Sequence, residues 1–411
     1  MDKQKNKTPL VRFPEFKVGW EHKQLNELLT VSKAKNGDLK YDKEDVLSVS
    51  GESGIVNQIE HLGRSYAGVS VHNYGVVELN QIVYTKSPLK ANPYGIIKLN
   101  KRKAGIVSTL YAVYKVNDKT DGQFIEYYFS LDANLNRYLR PLVKKGAKND
   151  MKISNEYVLN DRIYAPKLEE QKRIAHFFNI VDIKLSQLQE KLNGLEDYKK
   201  GMMQQIFKQQ LRFKDENAQD FPEWTKLKFP IKIVAGSAYE LKNYVKKGVI
   251  LIQGVNISPN KLKIDTPYFI SVNNNKNHIK LTKGDILLGL NRPIVSGKLK
   301  VCIYDLKVEG YLYQRAGKLD FNKDKINPVF LYQFLRSNHF LKEVEIELVG
   351  SDQPYIRSNL FKVAKIVFPT IKEQRKLANF LSKIDDKINA VNEQIETTKI
   401  YKKGLLLQMF V

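Results

Sequence analysis

The residues of this 411-residue chain best equipped for chemistry are hydrogen-bond donors and cations, not nucleophiles. Arg, Lys, Asn and Gln can present paired bonds to base edges, while cations neutralise phosphates. Such groups gather at Lys101, Arg102 and Lys103, and at Lys144 and Lys145 with Lys148. They gather again from Arg292 through Lys298 to Lys300, and at Gln353 with Arg357. The last pair follows Gly350-Ser351 just ahead of a long helical block, mirroring Lys148-Asn149 after Gly146. These are candidate nucleic-acid contacts, the lysines chiefly with phosphate, because most such bonds position a protein without reading sequence. The plain alternative for each is a solvated surface charge.

Catalytic constellations are harder to find. Asn92-Pro93-Tyr94-Gly95 is close to the Asn-Pro-Pro-Tyr loop that holds a flipped adenine in amino-methyltransferases. It lacks the second proline, and no Gly-x-Gly signature for a methyl donor precedes it, so a turn is expected. Gly297-Lys298 is followed by leucine and has no upstream glycine at phosphate-loop spacing. Glu240-Leu241-Lys242 has no identifiable aspartate to complete a nuclease metal site. The six histidines form no His-x-x-x-His pair, and the single cysteine, Cys302, excludes a disulfide framework and a cysteine metal site. No catalytic or metal-binding residue is assigned.

The elements that would position these groups follow from charge and repetition. Sixty-eight basic residues against 44 acidic give a net charge of +24, an excess usually met by a polyanion, nucleic acid first. The lysine-rich start lacks an apolar run, and no eighteen apolar residues are consecutive, so a soluble cytoplasmic chain without membrane association is expected. Pro166-Lys-Leu-Glu-Glu170-Gln171-Lys-Arg-Ile-Ala175-His-Phe177 returns as Pro369-Thr-Ile-Lys-Glu373-Gln374-Arg-Lys-Leu-Ala378-Asn-Phe380. The match continues without a gap through Asp182 and Asp385, then Tyr198-Lys-Lys-Gly201 and Tyr401-Lys-Lys-Gly404, always 203 positions apart. Arg12-Phe13-Pro14-Glu15 with Trp20 likewise rhymes with Arg212-Phe213 and Phe221-Pro222-Glu223-Trp224. The chain is a tandem duplication.

Each repeated block carries apolar residues in steps of four and three. The first has Val181, Leu185, Leu188, Leu192, Leu195, Met202 and Ile206. The second has Ile384, Ile388, Val391, Ile395, Thr398, Leu405 and Met409. Two stripes in one register predict a coiled-coil seam, softened in the first copy by Asn193, Gly194 and Lys199. Between them lie short β-type runs, among them Gly75-Val-Val, Gln81 to Tyr84, Gly105 to Tyr114, Val249 to Ile252, Asp285 to Leu288 and Val301 to Tyr304. Helices are predicted over Phe124 to Asn136 and near Pro328 to Phe340.

The fold class is therefore α+β: two similar domains of mixed sheets plus helices, in a pseudo-twofold tandem repeat. The expected divisions are 1–165, 166–210, 211–368 and 369–411. Their net charges are +8, +2, +11 and +3, so the globular arms carry most of the excess.

These blocks, the Lys-Lys-Gly endings, the Phe-Pro-Glu lead-ins and Lys283-Gly284-Asp285-Ile-Leu resemble the specificity (S) subunits of type I restriction-modification systems, the HsdS family. The resemblance spans essentially the whole chain. It implies two target recognition domains, 1–165 and 211–368, each reading half of a split duplex-DNA site. It implies a central helix (166–210) and a C-terminal helix (369–411) that pair antiparallel, separate the arms and dock two methyltransferase subunits, through which restriction subunits join. S-adenosylmethionine, ATP and magnesium would then belong to those partners, with no cofactor and no catalysis in this chain. Asn80-Gln81 stands where the second arm has Gly284-Asp285, which implies different bases read. Two other readings compete: a self-contained methyltransferase or nuclease, and an RNA-binding coiled-coil scaffold.

Overall fold

The structure, a computed structural model, describes residues 7–89, 92–145, 151–226, 230–271 and 278–411. Contacts divide the chain into two units, Met1–Gln189 with Gln394–Val411, and Glu190–Glu393. The helices in chain order are α1 (Gln58–Leu62), α2 (Gly122–Ser130), α3 (Asp132–Leu139), α4 (Leu168–Phe207), α5 (Pro328–Leu335), α6 (Asn338–Glu347), α7 (Leu360–Val363) and α8 (Ile371–Met409). The long helices α4 and α8 each contribute to both units, so the units do not follow linear order.

In the first unit an antiparallel sheet of four strands runs Leu29–Val31, Tyr111–Val116, Ile82–Thr85, Ile96–Leu99. The second unit repeats that order with Lys232–Ala235, Ala316–Asp320, Ile286–Gly289 and Val301–Ile303. It adds a five-stranded sheet in which Val249–Ile252 pairs parallel with Gly310–Leu312, making that sheet mixed. Each arm is closed by a strand pair between its start and end, Glu21–Gln24 with Arg162–Ala165, and Thr225–Lys226 with Val367–Phe368.

Two single runs in the sequence prove to be pairs of elements. Gly105 to Tyr114 is two strands, because the Tyr111 N–H closes a turn on the Ser108 carbonyl. The stretch Phe124 to Asn136 divides into α2 and α3 at Leu131, whose backbone is extended. The corresponding stretch of the second unit divides at Ser337, which caps α6 by accepting from the Phe340 N–H. Asn80 and Gly284 both take a left-handed backbone, φ 61° and 97°, and both donate to a backbone carbonyl across the sheet edge. The difference between them is two solutions to one turn, since asparagine and glycine are the residues that tolerate this region.

Each core is completed by the end of a long helix. In the first unit Phe410 stands 5.4 Å from Phe124 and 6.1 Å from Trp20, Tyr128 and Phe178. In the second, Phe207 stands 5.4 Å from Phe334, 6.0 Å from Phe330 and 6.4 Å from Trp224. Burying such a ring contributes about 1.5–3 kcal/mol.

Along the helices Leu188, Leu192, Ile384, Val391, Ile395 and Met409 are buried, while Val181, Leu185, Leu195, Met202, Ile388 and Leu405 are half-buried. Toward the C-terminal ends Met203 and Leu406 are buried, one position beyond Met202 and Leu405 of the sequence stripe, and the stripe's own Ile206 and Met409 are buried with them. Lys199 is buried within the stripe, not turned out to solvent as a softening residue would be.

Candidate nucleic-acid interface

Ser296 and Gly297, at φ 49° and 70°, form the two-residue turn that suits a tight hairpin. The turn pairs Ile294–Val295 with Lys298–Leu299. A second loop, Gly350–Pro354, is closed where Val349 and Tyr355 bridge, with Gly350 at φ 90°. The two are joined. The Arg292 N–H donates to the Pro354 carbonyl at 2.7 Å, Asn291 bridges Tyr355, and the Ile356 N–H donates to the Leu290 carbonyl at 2.9 Å. Two clusters separated by more than fifty residues in sequence are thereby brought together, with Arg292, Lys298, Gln353 and Arg357 all exposed. Arg292 is held at φ 44°, a conformation uncommon for a residue with a long side chain.

Lys300 is placed differently. Its stem lies over Gly289, where an added Cβ would meet the lysine chain at 2.8 Å, and its Nζ donates to the Asn291 carbonyl at 3.5 Å. Packed there it braces the base of the hairpin, and the same burial lowers its pKa from the ordinary lysine value.

In the first unit, Lys101, Arg102 and Lys103 lie exposed in the loop between Ile96–Leu99 and Gly105–Val107. Lys101 is already engaged, 2.6 Å from Glu126, and Lys103 lies 3.8 Å from Glu60. Lys144 is exposed on a short strand, Lys144–Lys145, paired with Met151–Lys152. Lys148 lies outside the described residues. Asn92 to Gly95 is a turn closed by the Gly95 N–H on the Asn92 carbonyl. Gly95 is required there, at φ 91° with its missing Cβ only 1.9 Å from the Thr85 carbonyl.

The repeated Glu-Gln motif attaches arm to helix. Glu170 accepts from Arg12 at 2.7 and 2.6 Å and from the Trp20 indole at 3.1 Å. Gln171 accepts from the Asp121 N–H at 3.0 Å and donates to the Pro166 carbonyl at 2.9 Å. In the second unit Glu373 takes Arg212 at 2.9 Å, and Gln374 accepts from the Asn327 N–H at 2.8 Å. Both carboxylates and both amides are buried and bonded, a satisfied polar network that fixes the angle at which each helix leaves its arm.

Sequence reasoning missed the two polar junctions along α4 and α8. Asp385 accepts from Lys199 at 2.6 Å, Gln333 at 2.7 Å and Arg336 at 3.0 Å. Asp182 accepts from Lys402 at 2.5 Å and from the Tyr127 hydroxyl at 2.8 Å. Their signal was identity of type at a constant offset, the lysines inside an otherwise apolar stripe and the aspartates next to its first residues, Val181 and Ile384. Among the described residues no group of three or more His, Cys, Asp or Glu converges as a metal site would require, and no helix is long and apolar enough to cross a membrane.

Comparison with known proteins adds to this geometry. Residues 229–398 match the family described as the type I restriction modification DNA specificity domain. The chain is 35% identical over 261 residues to the type I restriction enzyme MjaVIII specificity subunit of Methanocaldococcus jannaschii, covering 60% of this chain and 61% of that one. It is 27% identical over 280 residues to the putative MjaX specificity subunit of the same organism, covering 64% and 63%. The matches thus span about three-fifths of the length of these curated relatives. In fold it is similar to the S subunit of a type I restriction-modification system from M. genitalium, with a TM-score of 0.57 and 15% identity over 98% of this chain and 99% of that one. A chain from a structure describing assembly and conformational transition of a type I system gives 0.54 and 16% over 97% and 98%.

Proposed function

We propose that the chain is a specificity subunit of the type I restriction-modification kind, as its similarity to that family supports, and that it reads a bipartite sequence in duplex DNA, one half-site with each arm. Residues 1–165 and 211–368 act as the target recognition domains, and the helical segments 166–210 and 369–411 fix their separation. The observation that carries this reading is the pair of loops in the second unit, joined by backbone hydrogen bonds, which exposes Arg292, Lys298, Gln353 and Arg357 together. Arg and Gln have the donor geometry to bond guanine and adenine edges bidentately, which is how a major groove is read. Lys298, Lys144 and Arg102 supply charge toward phosphate, consistent with the +11 and +8 carried by the two arms. Lys300, and Lys101 through its pair with Glu126, are given supporting roles.

Catalysis falls to other subunits. Two methyltransferase subunits carrying S-adenosylmethionine dock on the helices and modify a flipped adenine in each half-site. Restriction subunits, with ATP and magnesium, join through them. Mapping methylated adenines across the genome with and without this chain tests the reading. The expected result is one split motif that disappears with the chain; a methylation pattern indifferent to its presence overturns it.

A further inference from the structure

A coiled-coil seam gains stability from apolar residues, so charge inside one calls for a reason. In the second unit Lys199 is buried in the α4 stripe and reaches Asp385 of α8, and Asp385 also takes Gln333 and Arg336 from the α5 region of the arm. In the first unit Lys402 of α8 reaches Asp182 of α4, and Asp182 also takes the Tyr127 hydroxyl from α2 of that arm. Each aspartate therefore ties three pieces of chain at one point: its own helix, the antiparallel helix and the arm. The four helix residues obey the repeat offset, and the lysines lie in the Tyr-Lys-Lys-Gly segments that both copies preserve.

We infer that Asp182 with Lys402, and Asp385 with Lys199, are positioning residues that lock helix register to arm seat and so restrict recognition to a single spacer between half-sites. This rests on the bipartite reading above. An apolar seam alone tolerates small sliding and tilt, because methyl groups pack acceptably at many offsets. The Lys199–Asp385 pair does not, since its lysine is buried and displacement by a few ångströms leaves two charges without partners in a poor solvent, while the part-exposed Asp182–Lys402 pair restricts sliding less. The additional arm bonds extend that restriction to α2 and α5.

The distinguishing feature of such a lock is that specificity and stability separate. Replacing a buried ion pair with apolar residues of similar size is often neutral or stabilising, while the registration is lost. The test uses the full chain with its methyltransferase subunits and compares the wild type with Lys199→Met/Asp385→Leu and with Asp182→Leu/Lys402→Met. Duplexes carry the natural spacer or one base pair more or less. Both double variants are expected to fold and to methylate both half-sites, the first melting somewhat below wild type because Arg336 is left without its carboxylate. The preference for the natural spacer over its neighbours should fall about tenfold or more when the Lys199–Asp385 pair is replaced, and by less when the part-exposed Asp182–Lys402 pair is replaced. Undiminished spacer preference in folded double variants overturns the inference, as does a large fall in melting temperature with preference retained, which would make the pairs simple stability elements. If the wild type itself shows no bipartite methylation, it is the functional reading that fails, and the two failures are distinguished by that control.

Discussion

Lys199 donates to Asp385 at 2.6 Å inside an apolar seam, and the residues 203 positions away, Lys402 and Asp182, make the same contact in the other unit. The two ends of the Lys199 pair are not equally content. Lys199 is pushed down to about 8, by burial first and then by the Arg336 charge, despite its bond to Asp385. Burial alone would raise Asp385, but Arg336, Gln333 and Lys199 together outweigh it and hold the carboxyl below the usual range. The lysine is the strained member of the pair.

That asymmetry makes the single substitutions unequal. Asp385→Asn leaves Lys199 and Arg336 facing each other without an anion, and should cost about 3–5 kcal/mol. Lys199→Met leaves Asp385 with Arg336 and Gln333, and should be near neutral or stabilising. Chemical denaturation of both variants checks the order; equal losses would contradict it.

The pH dependence has a definite sign. Lys199 titrates lower in the folded chain than in the unfolded one, so between about pH 8 and the ordinary lysine value near 10.5 the unfolded state holds more protons. The cost of burying its charge, roughly 3 kcal/mol at most, is full below pH 8 and fades as pH rises through that window. The stability advantage of Lys199→Met over wild type should therefore shrink from pH 7.5 to pH 10. Thermal melts across that range would show a constant difference if Lys199 kept its ordinary proton affinity.

Phe410→Ala should destabilise the first unit by about 3–5 kcal/mol, and Phe207→Ala the second by a similar amount. Hydrogen exchange resolves the two. Amides of α2 should lose protection in the Phe410 variant while those of α5 keep theirs, and the reverse should hold for Phe207. Uniform loss in both would mean the cores are not separate.

Salt dependence separates phosphate contacts from paired surface charge. Lys298→Ala and Lys144→Ala should each reduce the slope of log binding constant against log salt by about one, if each meets one phosphate. Lys101→Ala should change it little, because Glu126 already holds that amine at 2.6 Å. Titrations at several salt concentrations would reject the assignment if Lys101 gave the largest change.

Helix length should set the DNA spacer. Four residues inserted after Leu192 lengthen α4 by roughly 6 Å and form a stutter, which heptad seams usually tolerate. The methylated motif should keep both halves with a spacer about one base pair longer, and a three-residue insertion should be tolerated less well. An active four-residue variant with an unchanged spacer would assign the geometry to something else.

Much of this was legible in sequence because repetition and periodicity are local properties. The gapless offset marked the helices, and runs such as Val249 to Ile252 marked strands. What stayed hidden depends on closure between distant residues. Nothing near Phe410 reveals that its ring lies against Trp20, and nothing near Gln353 reveals that Pro354 accepts the Arg292 N–H. Lys199 read as a flaw in a stripe because a hydrophobic pattern has no symbol for a buried charge whose partner lies 186 residues away. Among the candidate contacts, Lys300 and Lys101 share a composition with their neighbours but have local partners, Asn291 and Glu126, that no spacing rule announces.

Exchanging residues 211–368 for the corresponding arm of a relative with a different target tests most directly whether this chain holds two independent DNA readers. Adenine methylation is then mapped in cells carrying the hybrid with the same methyltransferase subunits. One half of the motif should change to that of the donor, while the other half and the spacer stay as they were. A hybrid that methylates DNA with both halves altered, or with neither altered, would contradict recognition by separate arms.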